Sequence, residues 1–210
     1  MPESAHRDSV QEEIFSSITH GLGAIVGAGA LLYFFFKADK LFLVKSLTLI
    51  LFGFSFLFLF LFSTLFHSLS FTKARKVFQI LDHSAIYVFI AATYTPFLLL
   101  VVGGPIGWII FASLWVITIL GVIYKSLFLG KFSKLSLTLY LAMGWCAILV
   151  IGPLALGLSP VGLTLLIAGG LFYTFGAMIY SWRSLKFNHG LWHLFVLAGS
   201  LCHLFSLLTI

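Results

Sequence analysis

Two histidines near the end of the sequence have the spacing that places both on one face of a helix. His189 and His193 are four residues apart, which puts them about 40° apart around a helix and roughly one turn along it. Both imidazoles can therefore point toward one position. Neutral imidazole is the commonest metal ligand among side chains, so the pair predicts a metal site with nitrogen ligands, although a motif this short also occurs by chance.

An earlier apolar segment repeats this spacing, and a single acidic residue follows it. Ser63 and His67 are four residues apart, and Asp82 is the only acidic residue after Asp39. Asp82 lies at the start of a long apolar run. A carboxylate at the edge of hydrocarbon is expensive to keep, so Asp82 is a candidate functional residue.

The composition identifies the solvent that surrounds these residues. Hydrophobic residues make up 61% of the 210 residues and charged residues 9%, and the mean hydropathy is +1.14. A soluble domain of this length cannot hide so much apolar surface, so lipid must surround most of it. The net charge is +6, and the basic residues lie between apolar segments, where they orient a membrane protein. No nucleic-acid partner is therefore expected.

Seven apolar runs are long enough to cross a bilayer, which takes about 20 helical residues each. Barrel strands would be shorter and alternating. The sequence therefore predicts an all-α fold, a single seven-helix transmembrane bundle over residues 14–210 that follows a polar tail of residues 1–13. The predicted spans are 14–36, 41–66, 77–101, 106–127, 135–154, 161–180 and 191–208.

The basic residues predict the orientation of these spans. Nine Lys or Arg side chains lie on the side of the N-terminal tail, and three lie on the other side, all near the first loop. The excess of basic residues marks the cytoplasmic side. We therefore expect a multi-pass protein of the plasma (inner) membrane with a cytoplasmic N-terminus and an external C-terminus.

On this topology four helices bring polar side chains to the cytoplasmic leaflet. Three imidazoles there, with a fourth position for water, match a zinc site, so His67, His189 and His193 are the predicted ligands. Asp82 is predicted to hold or deprotonate the water, or to close the site as a fourth ligand, and Ser63 to orient a ligand or that water. The polar residues of the four helices are Glu13 and His20, Ser63 and His67, Asp82 and His83, and His189 and His193.

These segments resemble, in order, the motifs of the hemolysin III and progestin/adipoQ receptor superfamily. The similarity covers almost the whole chain, and the short extramembrane parts resemble the bacterial hemolysin III branch. Ser17 is a departure, because many relatives carry Asn there. The matching segments are 13–20, STLFH at 63–67, Asp82 with TYTPF at 93–97, and HGLWH at 189–193.

The resemblance implies a zinc held near the cytoplasmic face by His67, His189 and His193, with Asp82 as the water-linked acid and Ser63 as the motif serine. Relatives with lipid amide hydrolase activity, and the alkaline ceramidases of the wider superfamily, imply a metal-dependent hydrolase of lipid amides or esters. Membrane lipid is then the partner and substrate source.

A second class of function stays open. In it the chain is a non-enzymatic sensor or regulator of lipid state, or a cytolysin as the branch name implies, and zinc only ties helices together. A catalytic zinc keeps an open position beside a cavity, whereas four protein ligands close a structural one.

Overall fold

The computed structural model describes residues 9–38, 43–129, 133–182 and 184–210, most of them helical. Within these ranges seven helices are long and apolar enough to cross a membrane. Such runs fold as helices because a backbone in hydrocarbon must satisfy its hydrogen bonds internally. The predicted all-α, multi-pass architecture is confirmed, and the predicted ends lie within four residues of those observed. The spans are Val10–Phe36, Leu43–Ser68, Arg75–Val102, Gly104–Leu127, Leu135–Gly157, Pro160–Ser181 and Asn188–Leu207.

Two of the spans contain a change of helix type. The π-helical residues Phe97–Val102 continue the third span, and the 3-10 residues Trp145–Val150 divide the fifth span in two. We number the α-helices in chain order. They are α1 (Val10–Phe36), α2 (Leu43–Ser68), α3 (Arg75–Pro96), α4 (Gly104–Leu127), α5 (Ser133–Gly144), α6 (Ile151–Gly157), α7 (Pro160–Ser181) and α8 (Asn188–Leu207).

The first helix begins four residues before the predicted span. Ser9 is its N-cap, and the Ser9 hydroxyl accepts a hydrogen bond of 3.2 Å from the Glu12 backbone N–H. A capping serine satisfies one of the backbone donors that a helix start leaves unpaired. This early start places Glu12 and Glu13 in the helix, where both side chains are buried.

A tyrosine hydroxyl replaces backbone hydrogen bonds where the fifth span changes helix type. Tyr94 of α3 donates to the Gly144 carbonyl and accepts from the Ala147 N–H at 2.9 Å. The change from α to π geometry in the third span follows Pro96, the last residue of α3. These irregular segments therefore lie side by side in neighbouring spans.

Close approach of α1 and α2 requires small residues. A Cβ on Gly27 would lie 2.8 Å from the Leu57 Cα, and a Cβ on Gly23 would overlap the ring of Phe60. Small residues at helix contacts are how membrane helices maximise packing without a hydrophobic driving force. The helix pair faces a core of fully buried rings that includes Phe52, Phe56 and Phe60.

A reporter fused after Ile210 tests the predicted orientation. Seven spans place the termini on opposite sides, and the basic residues predict the C-terminus outside. A reporter that is active only in the cytoplasm is expected to be silent at this position. The same reporter fused before Val10 is the positive control, and activity at Ile210 with silence at Val10 would reverse the orientation.

Candidate metal centre

The end of α2 and the start of α8 bring three histidines together. His67 lies in the last turn of α2, and His189 and His193 lie at the start of α8. Each offers one ligand atom, and the three atoms lie within 4.8 Å of one another. The ring centroids are 4.7 to 5.1 Å apart. The structure thus brings together the three side chains that the sequence predicts as ligands; that they hold a metal stays a prediction.

A buried glutamate orients the first of these histidines. The Nδ1 atom of His67 lies 2.6 Å from the Glu13 carboxylate, and both side chains are almost fully buried. Because a carboxylate only accepts, Nδ1 must carry the proton and donate. The neutral ring then has its lone pair on Nε2. Metal-binding histidines are usually held in this way by a carboxylate on the other nitrogen.

The remaining ring atoms fit a metal. Nε2 of His67 and Nδ1 of His193 are buried and have no hydrogen-bond partner among the described residues. A buried nitrogen without a partner is costly, and a metal ion held by the three histidines would satisfy the Nε2 atom of His67. Three imidazoles form a donor set that suits zinc, and also copper, iron and nickel. The residues therefore fit the predicted cofactor.

Asp82 and Ser63 lie beside the histidines without joining them. The Ser63 side chain is buried and lies next to the Asp82 carboxylate, which is within electrostatic reach of His67 and His189. Asp82 is outside the group of atoms that lie within 4.8 Å of one another. This geometry supports a water-holding Asp82 more than a fourth ligand.

The sequence missed how much the start of α1 contributes to the site. Glu13 also contacts Arg75 at 3.5 Å, and Glu12 accepts a hydrogen bond of 3.3 Å from the Gly190 N–H at the start of α8. One signal was available, because an acid seven residues before His20 shares its helix face. The partners themselves depend on helix packing.

His20 lies against the metal centre as a packing residue. Its ring centroid is 3.7 Å from that of His193 and 4.8 Å from that of Phe60. Both of its nitrogens are buried and lack hydrogen-bond partners within the described ranges. The contact of His20 with His193 is therefore one of ring packing.

A strained turn precedes α8. Phe187 has φ of 62°, a left-handed conformation that a bulky residue adopts at a cost of about 1–3 kcal/mol. Its ring packs edge-on against Phe15 of α1, with centroids 6.3 Å apart. This contact holds the turn in place and so fixes where α8 begins, one residue before His189 and five before His193.

A cavity of about 230 Å³ borders the site. His189, His193, Asp82 and Ser63 line it at one end. It extends to His203, ten residues further along α8, which corresponds to about 15 Å at 1.5 Å per residue. Most of the lining between these ends is apolar, from residues such as Leu59, Phe89, Ile148 and Val196.

We expect the substitution Glu13→Gln to weaken metal binding by about 10- to 100-fold, which is the usual effect of losing a carboxylate that orients a metal-binding histidine. Glu12→Gln is the matched control, because Gln keeps an oxygen that accepts from Gly190 and Glu12 contacts no imidazole. Metal affinity is measured by competition with a chelator. Equal affinities in the two variants would contradict the role of Glu13.

The chain is similar to one protein family and to two bacterial proteins over nearly its whole length. The family model described as "Haemolysin-III related" matches residues 8–204. The chain is 46% identical over 200 residues to "Hemolysin-3" of Bacillus cereus, covering 95% of this chain and 91% of the relative. It is 40% identical over 201 residues to "Hemolysin-3 homolog" of Bacillus subtilis (strain 168), covering 95% and 94%.

The similarity extends to animal proteins. The chain is 32% identical over 169 residues to human "Monocyte to macrophage differentiation factor", covering 78% of this chain and 70% of the relative. No solved structure matches the chain.

Proposed function

The chain belongs to the haemolysin-III related family of the progestin and adipoQ receptor superfamily, and on that basis we propose that it is a zinc-dependent hydrolase of lipid amides or esters. The observation that carries the proposal is the cavity that joins the three-histidine cluster to Asp82 and Ser63. A site used only for structure needs no such space. A site for catalysis needs room for water and substrate.

The proposed roles follow from the contacts. Zinc held by His67, His189 and His193 would polarise a carbonyl and activate a water molecule. Asp82 would accept the proton of that water and pass it to the leaving nitrogen or oxygen. Water then adds to the carbonyl carbon as the bond to the leaving atom breaks. The products are a carboxylic acid and an amine or alcohol.

The neighbouring residues keep these groups in place. Ser63 is positioned to donate to the Asp82 carboxylate, and Glu13 holds the His67 ring. The apolar part of the cavity would take the acyl chain, which enters from the bilayer. We propose membrane lipid as the substrate source and the cytoplasmic leaflet of the plasma membrane as the place of reaction.

A structural zinc in a non-enzymatic protein is the second candidate. The name of the Bacillus cereus relative, "Hemolysin-3", favours cytolysis. The three histidines also tie α2 to α8, as a structural metal would. In that case metal loss would loosen the bundle, and there would be no hydrolysis to lose.

Metal content and hydrolysis, measured on one preparation, test the proposal. We expect protein purified in neutral detergent to contain about one zinc per chain and to release fatty acid from an N-acyl sphingosine. A chelator should stop the release, and added zinc should restore it. A zinc-loaded protein that hydrolyses neither lipid amides nor lipid esters would refute the enzymatic proposal and leave the structural one.

A further inference from the structure

Lys125 is a buried lysine in the last turn of α4. The residue is only 4% exposed, so it does not extend outward to the membrane interface as lysines near membrane helix ends usually do. It lines the cavity instead. Lys125 makes no ion pair and no hydrogen bond with any of the residues that the structure describes. A charge in an apolar environment is stable only when it is paired.

Three polar groups near Lys125 also lack partners. They are Nδ1 of His83, the hydroxyl of Tyr87 and the hydroxyl of Ser136, all buried and without a hydrogen bond in the described part of the chain. His83 and Tyr87 lie on α3, and Ser136 lies on α5. We call Lys125 and these three residues the Lys125 cluster.

The contacts of the neighbouring helices place the cluster in one small region. Gly121, one turn before Lys125 on the same face of α4, packs directly on the Tyr87 ring. The Tyr87 hydroxyl lies beside Ser136 in a geometry that makes no hydrogen bond. His83 is within electrostatic reach of Lys125. The cluster thus joins three helices.

The cluster opens into the cavity of the metal centre. His83, Lys125 and Ser136 line that cavity, and His83 directly follows Asp82. An ammonium and hydroxyl groups surround this position, and no carboxylate lies within 4.0 Å of Lys125 in the described residues. This chemistry suits an anion that accepts several hydrogen bonds.

We propose that the Lys125 cluster binds the phosphate of a single-chain lipid whose acyl part occupies the apolar cavity. A phosphate in the cavity has terminal oxygens that can accept from Lys125 and Ser136, which both line it, and lysine is a common phosphate ligand. The position of the acyl chain in the apolar cavity follows from the proposed lipid-hydrolase function, on which this inference rests. The preferred lipid therefore carries a phosphate near the bond that faces His189 and His193.

The test compares three probes on the full-length protein in neutral detergent. The probes are a 1-acylglycerol 3-phosphate, the matching uncharged monoacylglycerol and inorganic phosphate. Lys125→Met removes the charge and keeps the side-chain length, whereas Lys125→Arg keeps the charge. Lys76→Met is the matched control, because Lys76 is an exposed lysine at the same end of the bundle. Affinity is measured by native mass spectrometry.

We expect Lys125→Met to bind the lipid phosphate about 10- to 100-fold more weakly, as expected for loss of a hydrogen bond to a charged group. Lys125→Arg and Lys76→Met should keep most of the affinity, and the monoacylglycerol should bind wild type and Lys125→Met equally. Ser136→Ala should lose a smaller factor. Inorganic phosphate that binds the wild type and displaces the lipid phosphate would show that the anion alone is recognised at Lys125.

Unchanged binding of the lipid phosphate by Lys125→Met would overturn the inference. So would equal binding of charged and uncharged lipids by the wild type. If Lys125 only stabilises the C-terminal end of α4, Lys125→Met should lower the unfolding temperature and keep the same lipid preference. That result would also overturn the inference. Hydrolysis without a phosphate preference would refute only this inference, and a phosphate preference without hydrolysis would refute only the enzymatic proposal.

Discussion

Replacing His193 with alanine is expected to remove the metal and to lower the midpoint of thermal unfolding. His193 supplies one of three clustered nitrogens and lies almost fully buried. Two remaining imidazoles do not hold zinc tightly. A metal at 100 times its Kd stabilises the folded state by about 2.7 kcal/mol, which corresponds to a midpoint shift of about 5–10 °C for a chain of this size.

The measurement separates metal loss from loss of packing. Zinc content is determined by elemental analysis, and the midpoint is recorded with and without a chelator. The chelator should lower the wild-type midpoint and leave that of His193→Ala unchanged. His203→Ala is the matched control, since His203 is a buried histidine of the same helix outside the cluster. Zinc retained in full by His193→Ala would refute the ligand assignment.

The substitution Asp82→Asn is expected to abolish hydrolysis and to leave zinc bound. The three imidazoles remain in this variant, and Asp82 lies outside their cluster. Loss of a general base lowers the rate by about 10²–10⁴-fold. Asn is close to Asp in size and can still accept from Ser63, so the loss would report on the carboxylate itself.

The same variant separates the two classes of function. If Asp82 is a fourth ligand of a structural zinc, Asp82→Asn should weaken zinc binding and lower the unfolding midpoint, and the parent protein should hydrolyse nothing. Zinc content, unfolding midpoint and fatty-acid release are measured on one preparation of each protein. That second pattern would contradict the water-holding role of Asp82.

Run length and motif spacing predicted the helices and the three-histidine cluster well, for a physical reason. A span must be about 20 apolar residues long, so a local run of sequence is enough to predict it. His189 and His193 must share a helix face, because four residues make roughly one turn. The meeting of this pair with His67 followed from topology, which brings the end of α2 and the start of α8 to one side.

Side-chain partners across helices could not be predicted in the same way. The bond between His67 and Glu13 joins residues 54 positions apart, and it depends on how α1 and α2 rotate about their axes. When all faces of a helix are apolar, the sequence pattern does not reveal that rotation. Lys125 is one of the nine basic residues that predict the cytoplasmic side, but the sequence could not show that it is buried.

The break in the fifth span also depends on tertiary contacts. Gly152 and Pro153 follow the residues Trp145–Val150, and Pro153 cannot donate to the carbonyl four residues earlier. The sequence thus marks a weak point in this span, but it does not show which group replaces the lost hydrogen bond. The hydroxyl of Tyr94, from a different span, accepts from Ala147 and donates to Gly144. A side chain from outside the span thus takes over a backbone hydrogen bond, which local patterns do not record.

The contact between α1 and α8 has a consequence for biosynthesis. Glu12 and Gly190 are 178 residues apart, so α1 cannot make this contact until α8 has been synthesised. A chain with six spans inserted carries His67 and Glu13 but lacks both histidines of α8. The proposed metal site would therefore be complete only after the last span has inserted. A prematurely terminated chain would lack the stabilisation that a bound metal gives the folded protein, and it would be exposed to quality-control proteases.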